Sequence, residues 1–308
     1  MKKNIGFSES GADMMEMMSA PLVFVHATCE NNIEYVLRQA IHVNPERKII
    51  LLGDECNKHF GLFVHWCNLL DYTEGCGDFN GVYIHRSPNH ACFELFCYYR
   101  WFILKNFMLR HGISVAFYSD SDMLWYDDIA VYEKAFSGVD MATGLAPALE
   151  KNFHYTVSPN FTYITLACIK RLCNYFILLY ARNPNYFDAV SEMQKAEGGI
   201  PSISDMSAIG EFVKDNRETL NIVNSFEEIA EGIVDANFNS QRINRYCFDM
   251  KDGIKDIVFQ NGMPTCLETE ENRRYIFRAL HFQGKAKRLI PSYYTAPAFE
   301  LRSNLKNR

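Results

Sequence analysis

From residue 21 onward, apolar and polar positions fall into a strand–turn–helix–strand rhythm. Leu22-Val23-Phe24-Val25-His26-Ala27 is a short apolar run between Pro21 and the polar turn Thr28-Cys29-Glu30-Asn31-Asn32, which suits a buried strand. Ile33, Val36, Leu37, Ala40 and Ile41 then recur at helical spacing, and the spacing predicts a helix over 32–42, ended before Pro45. Lys48-Ile49-Ile50-Leu51-Leu52-Gly53 is a second strand, and the short links point to a parallel sheet. The same reading makes residues 61–71 helical and 82–85 a third strand. Residues 90–111 form a long aromatic-rich helix closed by Gly112.

The run Val115-Ala116-Phe117-Tyr118 follows and ends in Ser119-Asp120-Ser121-Asp122. Beyond Tyr126 the pattern predicts helices over 129–136, 170–182 and 205–213, the last capped by Ser204. Strands are expected over 139–142, 161–165 and 276–282. Between 220 and 266 short strands alternate with turns, and Gln260-Asn261-Gly262 signals a hairpin. With no repeat and no linker, the chain reads as one α/β domain over residues 21–290, with a mostly parallel central sheet and a varied C-terminal portion. Residues 1–20 read as a loose leader and 291–308 as a tail.

Composition narrows the function. A net charge of −6 supplies no surplus of cations to neutralise phosphates along a chain, which argues against nucleic acid as a partner. Ten cysteines without C-x-x-C pairs read mostly as reduced core residues, and so as a reducing, cytoplasmic setting. Met14, Met15, Met17 and Met18 are broken by Glu16 and preceded by Asp13. That is no signal-peptide core, and no uncharged run has the length of a membrane span.

Ligands of open α/β sheets bind beyond the carboxyl ends of the strands. Asp120 and Asp122, with Ser121 between them, are therefore expected at the working edge, where two carboxylates hold a divalent cation. A D-x-D triplet also occurs by chance, and Asp favours the turn after a strand. Far along the chain, His281-Phe282-Gln283-Gly284-Lys285-Ala286-Lys287 ends another apolar run. An imidazole there completes a carboxylate metal site, Gly284 permits close backbone approach, and lysines supply point charges for phosphate oxygens. The other reading of this segment is a solvated basic strand end.

Together these segments resemble the GT-A-fold (Rossmann-like) glycosyltransferases. The similarity is greatest to the retaining family of glycogenin and the bacterial lipopolysaccharide galactosyltransferases. The resemblance runs from residue 21 to about 290. It implies that Ala27, Thr28, Asn31, Asn32 and Tyr35 receive a uridine nucleotide, and that Arg100, in Tyr99-Arg100-Trp101, contacts the donor with Ser121. Asp120, Asp122 and His281 match the family's D-x-D and H-x-x-G-x-x-K, whose glycine and lysine are Gly284 and Lys287. The metal so implied is Mn²⁺ or Mg²⁺, the donor a UDP-sugar, and the acceptor a glycan or other hydroxyl. Three family positions differ. Asn160-Phe161-Thr162 carries Thr for Gly, Asp205-Met206 lacks the family's Gln, and Arg288-Leu289 replaces Pro-Trp.

Asn160, Asp205 and Lys287 are the residues then expected in catalysis. Asp205 is the candidate base were the transfer inverting, although it also suits the first turn of a helix. Asn160-Phe161-Thr162 is also a glycosylation sequon, a poor one inside a buried strand. The histidines at 26, 59, 65, 85 and 90 show no metal-ligand spacing and read as hydrogen-bonded structural residues. Two rivals stay open: an aspartyl-phosphate-type phosphohydrolase, and a sugar-binding GT-A protein without catalysis. A nucleotidyltransferase would need a Gly-rich loop after the first strand, which is absent.

Overall fold

The computed structural model of the protein describes residues 19–145, 157–182, 185–196 and 198–297. The expected leader up to residue 18 and the tail beyond 297 lie outside the described residues. β1 (Leu22–His26), α1 (Asn32–Val43), β2 (Ile49–Gly53), β3 (His65–Asn68), α2 (Ala91–Arg110) and β4 (Val115–Ser119) build the first half. β5 (Met123–Trp125), β6 (Met141–Leu145), β7 (Val157–Thr165), α3 (Leu166–Arg182), α4 (Asp205–Asn216) and β8 (Ile222–Asn224) follow. The C-terminal part adds β9 (Gly232–Val234), β10 (Val258–Gln260), β11 (Met263–Glu268) and β12 (Arg273–His281).

The central sheet has the order β3-β2-β1-β4-β7-β6-β8. β3, β2, β1 and β4 are mutually parallel, β7 is antiparallel to both its neighbours, and β6 and β8 run parallel. This is the mixed α/β architecture with a mostly parallel sheet that the sequence predicts. Alternate residues of β1 face opposite cores: Leu22 and Phe24 on one side, Val23 and Val25 on the other. A strand covered on both faces has no reason to alternate in polarity, hence its unbroken apolar run. α2 is apolar around most of its circumference because it is buried, with Tyr98, Trp101, Phe102, Leu104 and Phe107 inside. Each such side chain contributes about 1.5–3 kcal/mol by leaving water.

On the opposite face lie α1 and a second sheet, β10-β11-β12-β5, with β9 parallel to β12. The β10–β11 hairpin turns on Asn261 and Gly262 at φ 51° and 82°, the left-handed pair that Asn-Gly supplies. β5 is the piece that joins the sheets: it follows β4 directly and pairs with β12.

Two expected elements differ. Residues 61–71 are not a helix; 3₁₀ turns at Glu55–Leu62 and Leu69–Tyr72 flank the edge strand β3. Residues 82–85 form no strand. Tyr83 instead packs its ring against Phe79, Tyr98 and Tyr180, so side-chain burial there proceeds without a ladder. Eight cysteines are free, as most were expected to be, but Cys29 and Cys56 form a disulfide. Among the described residues no helix is long and apolar enough to cross a membrane.

Candidate active site

β1 and β4 are adjacent and parallel, with Leu22 opposite Phe117 and Phe24 opposite Ser119. The turns that follow them therefore open on the same edge. The Asp120 amide donates to the Asn160 carbonyl at 2.8 Å, which fixes the D-x-D turn against β7. β12 delivers His281 opposite Met123, and the Phe282 amide donates to the Asp122 carbonyl at 2.9 Å. His281 Nε2 consequently stands 3.2 Å from Asp122 Oδ1 and 3.7 Å from Asp120 Oδ2. One ligand atom from each of the three lies within 4.8 Å of the others.

The imidazole is oriented for ligation. Its Nδ1 is 2.6 Å from the Ala236 carbonyl, and a carbonyl only accepts, so Nδ1 carries hydrogen and Nε2 faces the carboxylates. Burial opposes charge on this ring, but Asp122 and then Asp120 outweigh it and raise its pKa to about 9. Burial likewise pushes the Asp122 carboxyl up, yet His281 and Lys287 beside it hold it below its ordinary value. Two carboxylates and an imidazole with a directed Nε2 fit a divalent cation.

Asp120 presents one oxygen to this cluster because the other is taken. Its Oδ1 accepts from Arg100 Nη1 at 2.7 Å and from the Tyr118 hydroxyl at 2.6 Å. Arg100 also donates from Nη2 to Asp205 Oδ2 at 2.6 Å and from Nε to the Cys97 carbonyl at 3.0 Å. Trp101 Nε1 donates to the same Asp205 oxygen at 3.1 Å. Asp205 and Asn160, 2% and 1% exposed, thus stand behind the ligands, not on the open edge. The Asn160 amide donates to the Asp235 carbonyl at 2.9 Å and lies 3.2 Å from His281 Nδ1. Thr162, at one of the departures from the family, is fully buried, with its hydroxyl donating to the Pro159 carbonyl and 3.2 Å from that of Thr143. The sequon is buried as expected.

Gly284 opens a 3₁₀ turn, Gly284–Leu289, at φ +58°, a backbone that glycine adopts without strain. The turn is tied to the start of α1 by Asn32 Nδ2 donating to the Lys287 carbonyl at 3.1 Å. Lys287 Nζ lies 3.5 Å from Asp122 Oδ2 and 3.8 Å from Glu30 Oε2. Burial opposes its charge, but Asp122 and Glu30 hold its pKa above the ordinary value.

After β1, Ala27 is half-buried and Thr28 and Asn31 are exposed. His26, which sequence reasoning left as structural, links this turn to the D-x-D. Its Nε2 is 3.0 Å from the Thr28 hydroxyl and its Nδ1 is 2.9 Å from that of Ser121. Burial lowers its pKa. Asn57, also missed, donates to the Thr28 carbonyl at 3.0 Å and to Asp54 Oδ1 at 2.6 Å. The available signal for His26 was its position as the last residue of a parallel strand. Tyr35 lies a turn further along α1, with its ring edge-on to Tyr294 at 5.3 Å. The structure thus gathers residues 27–32, Asp120, Ser121, Asp122, His281, Gly284 and Lys287 at one edge. It places Arg100, Asn160 and Asp205 beneath them.

No protein-family model matches this chain, and no curated protein does. Among solved structures it is similar to the apo form of mouse xyloside xylosyltransferase 1, at 9% identity, 71% of this chain, 87% of that one and a TM-score of 0.46. It is also similar to galactosyltransferase LgtC in complex with donor and acceptor sugar analogues, at 13% identity, 89% of this chain, 97% of that one and 0.41. A third is a cytidylyltransferase from Leptospira borgpetersenii, at 8% identity, 69% of this chain, 77% of that one and 0.37. All three scores lie below 0.5, so the chemistry has to stand on the site.

Proposed function

We propose that this chain is a metal-dependent glycosyltransferase that moves a sugar from a nucleotide-diphosphate sugar, with UDP as the nucleotide, to an acceptor hydroxyl. The observation that carries this reading is the convergence of Asp120, Asp122 and His281, from segments far apart in the chain, with Lys287 3.5 Å from Asp122. A mixed oxygen and nitrogen donor set suits Mn²⁺ better than Mg²⁺, which prefers oxygen alone. When bound, the cation stabilises negative charge on the leaving diphosphate.

The protein's own groups take the remaining tasks. Residues 27–32 receive the nucleotide on the open edge, and Lys287 adds an ammonium where charge grows on the leaving group. Arg100 acts through Asp120, whose second oxygen it occupies. Asp205 holds Arg100 and accepts from Trp101, so it serves in positioning and is not free to act as the acceptor's general base. That arrangement agrees with retention at the sugar. Residues 21–290 form the transferase domain; the Cys29–Cys56 disulfide removes the support that reduced cysteines gave to a cytoplasmic setting. An aspartyl-phosphate hydrolase would leave His281 and Lys287 without a task.

The test is the melting temperature with UDP. A ligand stabilises in proportion to its occupancy, so UDP raises the midpoint clearly with Mn²⁺ and only slightly with EDTA. Equal shifts would remove the metal from the reading. Release of free nucleotide from a panel of nucleotide-sugars in Mn²⁺ then identifies the donor.

A further inference from the structure

Behind His281 lies an ion pair with no place in the chemistry above. Lys255 and Asp235 are both 0% exposed, with Nζ 2.9 Å from Asp235 Oδ1. Two charges in a core are expensive, and such a pair is weak evidence of a stabilising role. The partners of these two side chains indicate what it does. The other oxygen, Asp235 Oδ2, accepts from the backbone amide of His281 at 3.2 Å. The Lys255 ammonium also donates to the Asn237 carbonyl at 2.6 Å and to the Ser240 carbonyl. It thereby draws inward two carbonyls of the loop that follows β9. The Ala236 carbonyl, between Asp235 and Asn237, is the acceptor that keeps hydrogen on His281 Nδ1.

We propose that Lys255 and Asp235 are positioning residues for the metal ligand His281. This rests on the metal reading above. The pair folds the 235–240 loop so that the Ala236 carbonyl selects the imidazole tautomer with Nε2 free for a cation. Two backbone bonds also hold this loop: the Phe238 amide donates to the His281 carbonyl at the end of β12 at 2.8 Å, and the Lys255 amide donates to the Phe238 carbonyl at 3.1 Å. Those are backbone bonds that any sequence can make. Only the ammonium satisfies Asn237 and Ser240 while neutralising Asp235. Lys255 never touches substrate or metal.

The experiment is Mn²⁺ affinity, read from the signal of free Mn²⁺ on titration, with the folded fraction followed by melting. Lys255→Met leaves the buried Asp235 carboxylate without a counter-charge and the Asn237 and Ser240 carbonyls without their ammonium donor, so it destabilises the fold. Asp235→Asn combined with Lys255→Met removes both charges and keeps the protein folded for measurement. Mn²⁺ binding by the folded double variant is expected to weaken about 10- to 100-fold, the range for loss of a group that orients a ligand. A purely structural pair would lower the melting midpoint and leave that affinity unchanged. Wild-type affinity in the double variant overturns the inference alone. A wild-type protein that binds no Mn²⁺ overturns the metal reading and the inference with it.

Discussion

Arg100 and Asp205 form the ion pair whose removal is most informative, because one partner is almost sealed from water. Their side chains are 12% and 2% exposed, with a 2.6 Å bond between them. Replacing Arg100 by Met leaves Asp205 with Trp101 Nε1 as its remaining side-chain partner. Breaking a buried pair from one side costs about 3–5 kcal/mol, most of it the uncompensated charge. Asp205→Asn is milder, at about 1–3 kcal/mol, since Arg100 keeps Asp120, Tyr118 and the Cys97 carbonyl. In the double variant the buried charge is gone, so its loss falls short of the sum by about 1–3 kcal/mol. The assay is denaturant unfolding of the wild type, both single variants and the double variant, metal-free. A strictly additive cycle, or an Arg100→Met protein as stable as wild type, would refute the claim that Asp205 exists to hold Arg100.

Three further outcomes are expected. The metal-free His281 pKa of about 9 lies above its ordinary 6.5. Its charge therefore stabilises the metal-free fold fully below pH 6.5, and this is lost as pH rises through about 9. Because ligation needs the neutral ring, Mn²⁺ affinity should rise over the same window with release of a proton; calorimetry in buffers of different ionisation enthalpy shows it, and a pH-independent affinity speaks against His281 as a ligand. Lys287→Ala should lower kcat by about 10²-fold with a smaller change in donor KM, and normal kcat with raised KM would make it a docking charge. Gly284→Ala should destabilise by about 1 kcal/mol or more, from the backbone alone since a Cβ there meets nothing within 4 Å. Gly284→Asn, which tolerates φ +58°, should lose less, and equal losses would point away from backbone strain.

Much of this was legible because local chemistry and tertiary position agreed. β1, β2 and β4 are buried on both faces and announce themselves as apolar runs, and the carboxylates of Asp120 and Asp122 stand where such a run stops. Asn261-Gly262 names its own turn. The failures are edge and non-local elements. β3 is half-exposed along most of its length, so His65-Trp66-Cys67-Asn68 carries no buried-strand signature, and tertiary pairing with β2 overrides what propensity suggests. Residues 82–85 have strand composition but spend it on aromatic packing. β5 was not read at all. Yet its pairing with β12, Leu124 against Leu280 and Met123 against His281, is what carries the histidine to the carboxylates. No periodicity within either segment encodes a contact across more than 150 residues; the ligand chemistry of an imidazole and the resemblance to a family suggested it instead. The buried pair Asp235–Lys255 left no mark either, because nothing in these loop segments says which lysine meets which aspartate.

The charges around Asp122 explain why metal and nucleotide should act in order. In the metal-free protein one carboxylate serves two cations: Asp122 Oδ1 lies 3.2 Å from His281 Nε2 and Oδ2 lies 3.5 Å from Lys287 Nζ. A diphosphate meeting this edge competes with Asp122 for Lys287 and faces the charges of Asp120 and Glu30 as well. A divalent cation held there would add two positive charges while His281 gave up one proton, a net gain of one positive unit at the edge. By taking Asp122 it would loosen that residue's hold on Lys287 and leave the ammonium for phosphate oxygens. Arg100 does not join this exchange, because Asp205, Tyr118 and the Cys97 carbonyl keep it in place. The site thus divides its two long cations by depth. The deeper one fixes Asp120, and the half-exposed one, at 37%, would be released on metal binding.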